Sequence, residues 1–238
     1  MAARKNSGMA LGLFMMAAFA VVLVLMFSNI FPSLSGQKVN GLDWADDMFN
    51  SLSKGSSYFI PDVRARTAKF KDQTFNVTVK VKKPEAAAAV FAKAGCQAVA
   101  KDGSVTVNGS FGDIADKVLG ASEQMFNNDS KAVEAEYGMD GPTVLASFHQ
   151  VLQPSIKELQ KNRQVEMASA VDLILRKGIE PAYNYYGVQA QNIMDKLGMS
   201  AGLLIFYVVY TMWYGFAIVY ILQGLGLSMS KPKVKAEV

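Results

Sequence analysis

"GMSAGLLIFYVVYTMWYGFAIVYILQGLGLSMS", Gly198 to Ser230, runs for 33 residues without a charged side chain. Roughly 20 such residues cross the hydrocarbon core of a bilayer as an α-helix. A second uncharged run, "GMALGLFMMAAFAVVLVLMFSNIF" (Gly8–Phe31), covers 24 residues. The two predict transmembrane helices at 8–31 and 201–229. The chain of 238 residues is 51% apolar overall, because the residues between the two runs have an ordinary polar content.

Charge gives a topology. Between residues 33 and 198 there are 19 Lys and Arg against 19 Asp and Glu, so the formal net charge of +4 arises in the tails. These hold Arg4 and Lys5 at one end, and Lys231, Lys233 and Lys235 opposed by Glu237 at the other. Basic residues flanking a span favour the cytoplasmic side. The expectation is an inner (plasma) membrane protein with cytoplasmic tails at 1–7 and 230–238 and residues of about 33–198 extracytoplasmic. The basic balance is therefore a topology signal and implies no nucleic-acid partner. A cleaved signal peptide shares the basic start. The apolar run exceeds the usual core of about 7–15 residues, and no A-x-A-like site follows it, which favours an uncleaved anchor. The Ala-rich composition has a bacterial character.

The second span has an unusual middle. In "FYVVYTMWYGFAIVY" (Phe206–Tyr220), seven of fifteen residues are aromatic and four are tyrosine. Tyrosines of a span usually sit at its ends, where the hydroxyl reaches water. Here Phe206, Tyr210, Trp213, Ala217 and Tyr220 recur at helical steps and share one face, with Tyr207, Tyr214 and Ile221 alongside. A phenol without an acceptor in hydrocarbon loses roughly 1–3 kcal/mol. Thr211 and Gln223 add polar groups, and Gly202 and Gly215 would allow close helix approach. The first span has almost no polar side chains. We therefore expect Phe206, Tyr207, Tyr210, Trp213, Tyr214, Tyr220 and Gln223 to pack against helices of other membrane subunits, in a homo- or hetero-oligomer. A quinone, haem or lipid flanked by these rings is the sharper alternative, and no ligating residue supports it.

Between the spans, Leu42, Trp44, Met48, Phe49 and Leu52 mark an amphipathic helix in the linker 32–72, able to rest on the lipid bilayer or on the protein itself. "FNVTVKVKK" (Phe75–Lys83) then alternates apolar and polar residues and predicts a strand with one buried face. "PEAAAAVFAKAG" predicts a helix, with Pro84 at its first position and Gly95 past its end. Asp102-Gly103 between two apolar-rich runs is a hairpin signal. Ser110 is placed to cap a further helix carrying Ile114, Val118 and Met125. The unit 73–128 thus reads strand, helix, strand, strand, helix, a three-stranded sheet with both helices on one face. This order resembles the βαββα modules of ring-forming secretion and sporulation proteins, and more loosely BON-type lipid- or peptidoglycan-associated modules. The resemblance is one of element order alone.

Residues 129–179 read as helical, with an interruption at Pro154. Glu180-Pro181 starts another helix, expected to run on as a stalk over 180–200 into the second span, projecting on the order of 30 Å. Gly187 and Gly198 are the places where it would bend. Tyr183, Tyr185 and Tyr186 on this stalk suit docking of a partner or packing on the protein's own domain.

Chemistry-bearing motifs are scarce. His149 is the sole histidine, and no neighbour stands at a spacing suited to catalysis or metal binding. Cys96 is the sole cysteine and reads as a small buried apolar residue. Asp43, Asp46 and Asp47, and Asn127, Asn128 and Asp129, offer oxygen ligands but match no calcium loop. No nucleophile–base pair, phosphate loop or dinucleotide fingerprint occurs. The expectation is an α+β membrane protein with no cofactor or metal. Its expected role is a non-catalytic accessory or scaffold subunit of a larger membrane complex whose extracytoplasmic domain docks partners. The alternative is an extracytoplasmic ligand-binding sensor acting through a separate cytoplasmic partner.

Overall fold

A computed structural model describes residues 2–33 and 36–227, with side chains from Ser7 onward. The basic positions behind the topology argument lie outside the described side chains. The protein is α+β and mostly helical, with two helices long and apolar enough to cross a membrane. It divides into two compact units, one of residues 1–49 with 192–238 and one of residues 50–191.

The first unit is built on α1 (Ala2–Met26) and α10 (Ile193–Gly224). They lie antiparallel, Met9 beside Gly224 and Phe19 beside Tyr210. The first span ends at Met26, earlier than expected. Phe31 lies instead in a short hairpin of β1 (Phe31–Pro32) and β2 (Lys38–Val39), its ring 5.7 Å from that of Trp44. That ring opens α2 (Gly41–Gly55), the expected amphipathic helix, whose first turn is capped by the Asn40 carboxamide accepting from the Leu42 and Asp43 amides.

The second unit starts with the end of α2, followed by α3 (Ile60–Thr67) and a 3-10 turn. Its sheet consists of β3 (Thr74–Lys80), β4 (Gln97–Lys101) and β5 (Ser104–Ser110) in the antiparallel order β3-β5-β4. In β3 the alternation works as read: Phe75, Val77 and Val79 are buried, and Asn76, Thr78 and Lys80 are exposed. Asp102 (φ 50°) and Gly103 (φ 74°) form the hairpin turn, both in the left-handed region that Asp-Gly tolerates. α4 (Pro84–Lys93) crosses from β3 to β4, and α5 (Phe111–Phe126) starts where the Ser110 hydroxyl accepts from the Asp113 amide at 3.3 Å.

The layering differs from the expectation. The second helix on the buried sheet face is α7 (Gly141–Lys161), which packs against β3 and against α4, itself on β4 and β5, and not α5. Phe91 of α4 meets Phe148 of α7 edge to face at 5.3 Å. α5 belongs to a further layer with α3, α6 (Ser130–Tyr137) and α9 (Glu180–Asn184). One cluster of buried side chains runs from Ile60 to Ala182, so the boundary expected near 128 falls inside a single core.

Two further expectations are corrected. α7 continues through Pro154, because Val151, Leu152, Ser155 and Leu159 keep one buried stripe across it. That packing outweighs the roughly 3 kcal/mol that an interior proline costs. The stalk, in turn, is not continuous. α8 (Val165–Ile174) passes through a π turn, Leu175–Ile179, into α9, and the helix stops at Asn184 until α10 begins at Ile193. Gly187 sits in the break at φ 83°, whereas Gly198 lies inside α10.

Candidate functional site

The residues singled out in the second span fall into two groups. Tyr210 finds an acceptor within the chain. Its hydroxyl donates to the Phe19 carbonyl at 3.2 Å, and its ring stacks on Phe19 with centroids 4.2 Å apart. A backbone carbonyl supplies the acceptor that the side chains of the first span lack. Trp213 and Tyr220 are half-buried, and Ala217 is fully buried. The close helix approach lies at Gly12 and Gly224, not at Gly202 and Gly215. A Cβ on Gly12 would stand 2.8 Å from the Ile221 amide nitrogen, and one on Gly224 2.4 Å from the Met9 Cβ. Gly202 and Gly215 have nothing within 4 Å. The second group stays open: Phe206, Tyr207 and Tyr214 are 40%, 68% and 43% exposed. Gln223 is exposed as well.

The three tyrosines before the span also separate. Tyr185 turns into the core, its ring edge-on to Phe126. Tyr186 donates its hydroxyl to Ser130 Oγ at 2.9 Å. Tyr183 remains exposed and lines a cavity of about 400 Å³ between α7 and α9. Leu145 and Ile179 contribute apolar wall, and His149, Gln150, Glu180 and Asn184 the polar part. The π turn shapes one side. The Glu180 amide donates to the Leu175 carbonyl, and Gly178 lets the turn approach Leu119. Such turns often accompany functional sites. His149 and Tyr183 were each visible in the sequence, but their juxtaposition across this cavity was not.

Nothing in the sequence around Lys54 marks it as special. It is only 3% exposed, yet among the described residues it pairs with no carboxylate. Its ammonium donates to Asn128 Oδ1 at 3.2 Å, to the Tyr185 carbonyl at 3.1 Å and to the Val188 carbonyl at 2.7 Å. It also sits 5.1 Å from the centre of the Phe126 ring. Burial pushes its pKa below the ordinary lysine value, while the oxygen acceptors and the ring favour the charged form. Asn128 reinforces the arrangement, accepting from the Gly187 amide at 2.7 Å and donating to the Val188 carbonyl at 2.9 Å. The Gln191 amide donates to the Ser51 carbonyl at 3.1 Å. These bonds take over backbone groups that a continuous stalk would have used, which is why the helix breaks at 185–192.

The oxygen-rich clusters have structural roles. Asp43 accepts from the Asn40 carboxamide, Asp47 from the Ser33 hydroxyl, and Asp129 caps α6 through the Ala132 amide. Among the described residues no three of His, Cys, Asp and Glu gather as a metal site. Cys96 is half-buried, and burial, aided by Asp113, pushes its thiol up to about 11. At pH 8 the folded protein should react with iodoacetamide on the order of 10²-fold more slowly than the unfolded chain, since only the thiolate attacks. Equal alkylation rates in the two states would show that Cys96 is not shielded.

No protein family, no curated protein and no solved structure matches this chain.

Proposed function

We propose that this chain is a non-catalytic, membrane-anchored accessory or scaffold subunit of a larger membrane complex. Its tails would lie in the cytoplasm, and residues of about 33–198 would form an extracytoplasmic domain that docks partners. The observation that carries this reading is the aromatic face that α10 keeps after α1 has packed against it. Tyr207 and Tyr214 stand near the middle of a 32-residue helix, and their hydroxyls find no acceptor among the described residues. A phenol held in hydrocarbon favours an arrangement in which a neighbouring helix accepts its proton.

The test is the native mass of the full chain extracted from its membranes in mild detergent, with co-purifying chains identified. Discrete higher-mass species are expected. Tyr207→Phe with Tyr214→Phe should weaken assembly about five- to tenfold, two interhelical hydrogen bonds being worth roughly 0.6 kcal/mol each. A monomer of 25.8 kDa protein mass, unaffected by the double substitution, would overturn the subunit reading. The cavity beside Tyr183 favours the second reading, an extracytoplasmic ligand sensor acting through a separate cytoplasmic partner.

A further inference from the structure

The sheet has two edge strands, and they differ. β3 is packed against α7, while β4 at the other edge packs against β5 and α4. The main-chain polarity of β4 follows from its turn. Asp102 and Gly103, both at positive φ, make a two-residue hairpin, which puts Lys101 and Ser104 in the hydrogen-bonded pair that closes it. Val99–Thr106 and Gln97–Asn108 then follow at every second pair. The bond from the Val81 amide to the Gly103 carbonyl agrees, since it gives the odd-numbered residues of β5 to β3 and the even-numbered ones to β4. Ala98 and Ala100 therefore turn their N–H and C=O groups away from β5, and no other described residue bonds to them.

An open edge pairs with another strand unless something blunts it. The ladder from β4 to β5 runs through Gln97–Lys101 without a bulge, a proline or an inward-pointing charge. Ala98 and Ala100 on the inner side are too small to cover the edge. Among the large apolar side chains of the sheet only Val99 is exposed, at 62%.

The strand that fits this edge is its own copy. "QAVAK" (Gln97–Lys101) is an inverted match about Val99. With two such strands antiparallel and centred there, Ala98 faces Ala100 of the second copy and exchanges both main-chain bonds with it, and Gln97 faces Lys101. Val99, whose own main-chain groups are used by β5, falls in the non-hydrogen-bonded pair, where side chains approach most closely, and meets Val99 of the second copy. The two Lys101 positions stand about 14 Å apart along the strands, beyond the screening length of about 8–10 Å. Centring the pair on Ala98 or Ala100 would set Val99 against Gln97 or Lys101 and leave it without an apolar partner.

We propose that β4 pairs antiparallel with β4 of a second copy of this chain, centred on Val99, joining the two sheets into one. The contact uses the same patch on both copies and so closes as a dimer. It goes beyond the contact proposed for α10 and depends on none of its residues.

An edge contact is small, so the test is oxidative trapping, which accumulates a weak dimer. Cys96 is the sole cysteine, and in a Cys96→Ser background an introduced thiol stands alone. Val99→Cys brings two sulfurs into disulfide reach, with Cβ atoms about 4.5 Å apart. Asn76→Cys is the control, exposed on the same face but in the opposite edge strand. In the full chain in mild detergent, copper phenanthroline should link Val99→Cys on the order of tenfold faster than Asn76→Cys. Ala100→Pro removes an outward N–H that β5 does not use, and should return Val99→Cys to the control rate. Tyr207→Phe with Tyr214→Phe should leave the cross-link unchanged, which separates this contact from the one proposed for α10. Equal rates for the two thiols, or a Val99→Cys rate that Ala100→Pro does not lower, would overturn the proposal.

Discussion

Val79→Asp unfolds the domain of residues 50–191. Val79 is 4% exposed in β3 and stands in register with Val105 on the face that α4 and α7 cover. A carboxylate placed there must be buried without a partner or be protonated. Either costs about 4 kcal/mol or more, a large share of the roughly 5–15 kcal/mol that stabilises a domain. Thermal unfolding of the full chain in detergent, followed by Cys96 alkylation, should show the variant unfolded near room temperature. Thr78→Asp is the matched control. Its side chain lies on the exposed face, bonded only to Thr106 at 3.0 Å, so it should lose about 1 kcal/mol at most. A Val79→Asp variant as stable as the control would mean that the face of β3 is assigned wrongly.

Lys54→Met should destabilise the same domain by about 3 kcal/mol, because three charge-assisted hydrogen bonds are lost while their oxygens stay partly buried. Methionine keeps the length and the apolar stem of the side chain, so lost packing contributes little. The effect should also be local. Tyr185, Val188 and the Gly187 turn are held chiefly by Lys54 and Asn128, and the segment 185–191 should open ahead of the core. Chymotrypsin, which cuts after tyrosine, reports this as faster cleavage at Tyr185 and Tyr186 under conditions where the rest of the domain resists. An unchanged melting temperature with unchanged cleavage would show that the ammonium contributes nothing there.

What was legible in the sequence was local. The alternation in Phe75–Val81, the Asp102-Gly103 turn, the Ser110 cap and the two apolar runs each depend on near neighbours, and the structure realises them. What escaped involves partners far along the chain. The break at 185–192 depends on Lys54, which lies 131 and 134 residues before the carbonyls it binds. The acceptor for Tyr210 is a main-chain carbonyl 191 residues away, invisible to an inventory of side chains. Glycines show the same limit: Gly12 and Gly224 form the tight crossing of α1 and α10, and nothing in their immediate neighbours distinguishes them from Gly202 and Gly215. Pro154 reads as a breaker until the burial of the residues around it is known. Of the candidate site, His149 and Tyr183 drew notice separately, and the cavity between them required the positions of two helices.

The π turn at Leu175–Ile179 makes the composition of that cavity wall a matter of phase. One residue more than a regular helix needs is accommodated there, and each residue advances a helix by about 100°. Were the extra residue lost, the turn would close into regular helix and Glu180, Tyr183 and Asn184 would keep facing His149 and Gln150. A residue gained or lost elsewhere between α8 and α9, with no bulge to absorb it, would turn them away by about 100°. The π turn is therefore the place where this helix tolerates a change of length without changing the cavity wall.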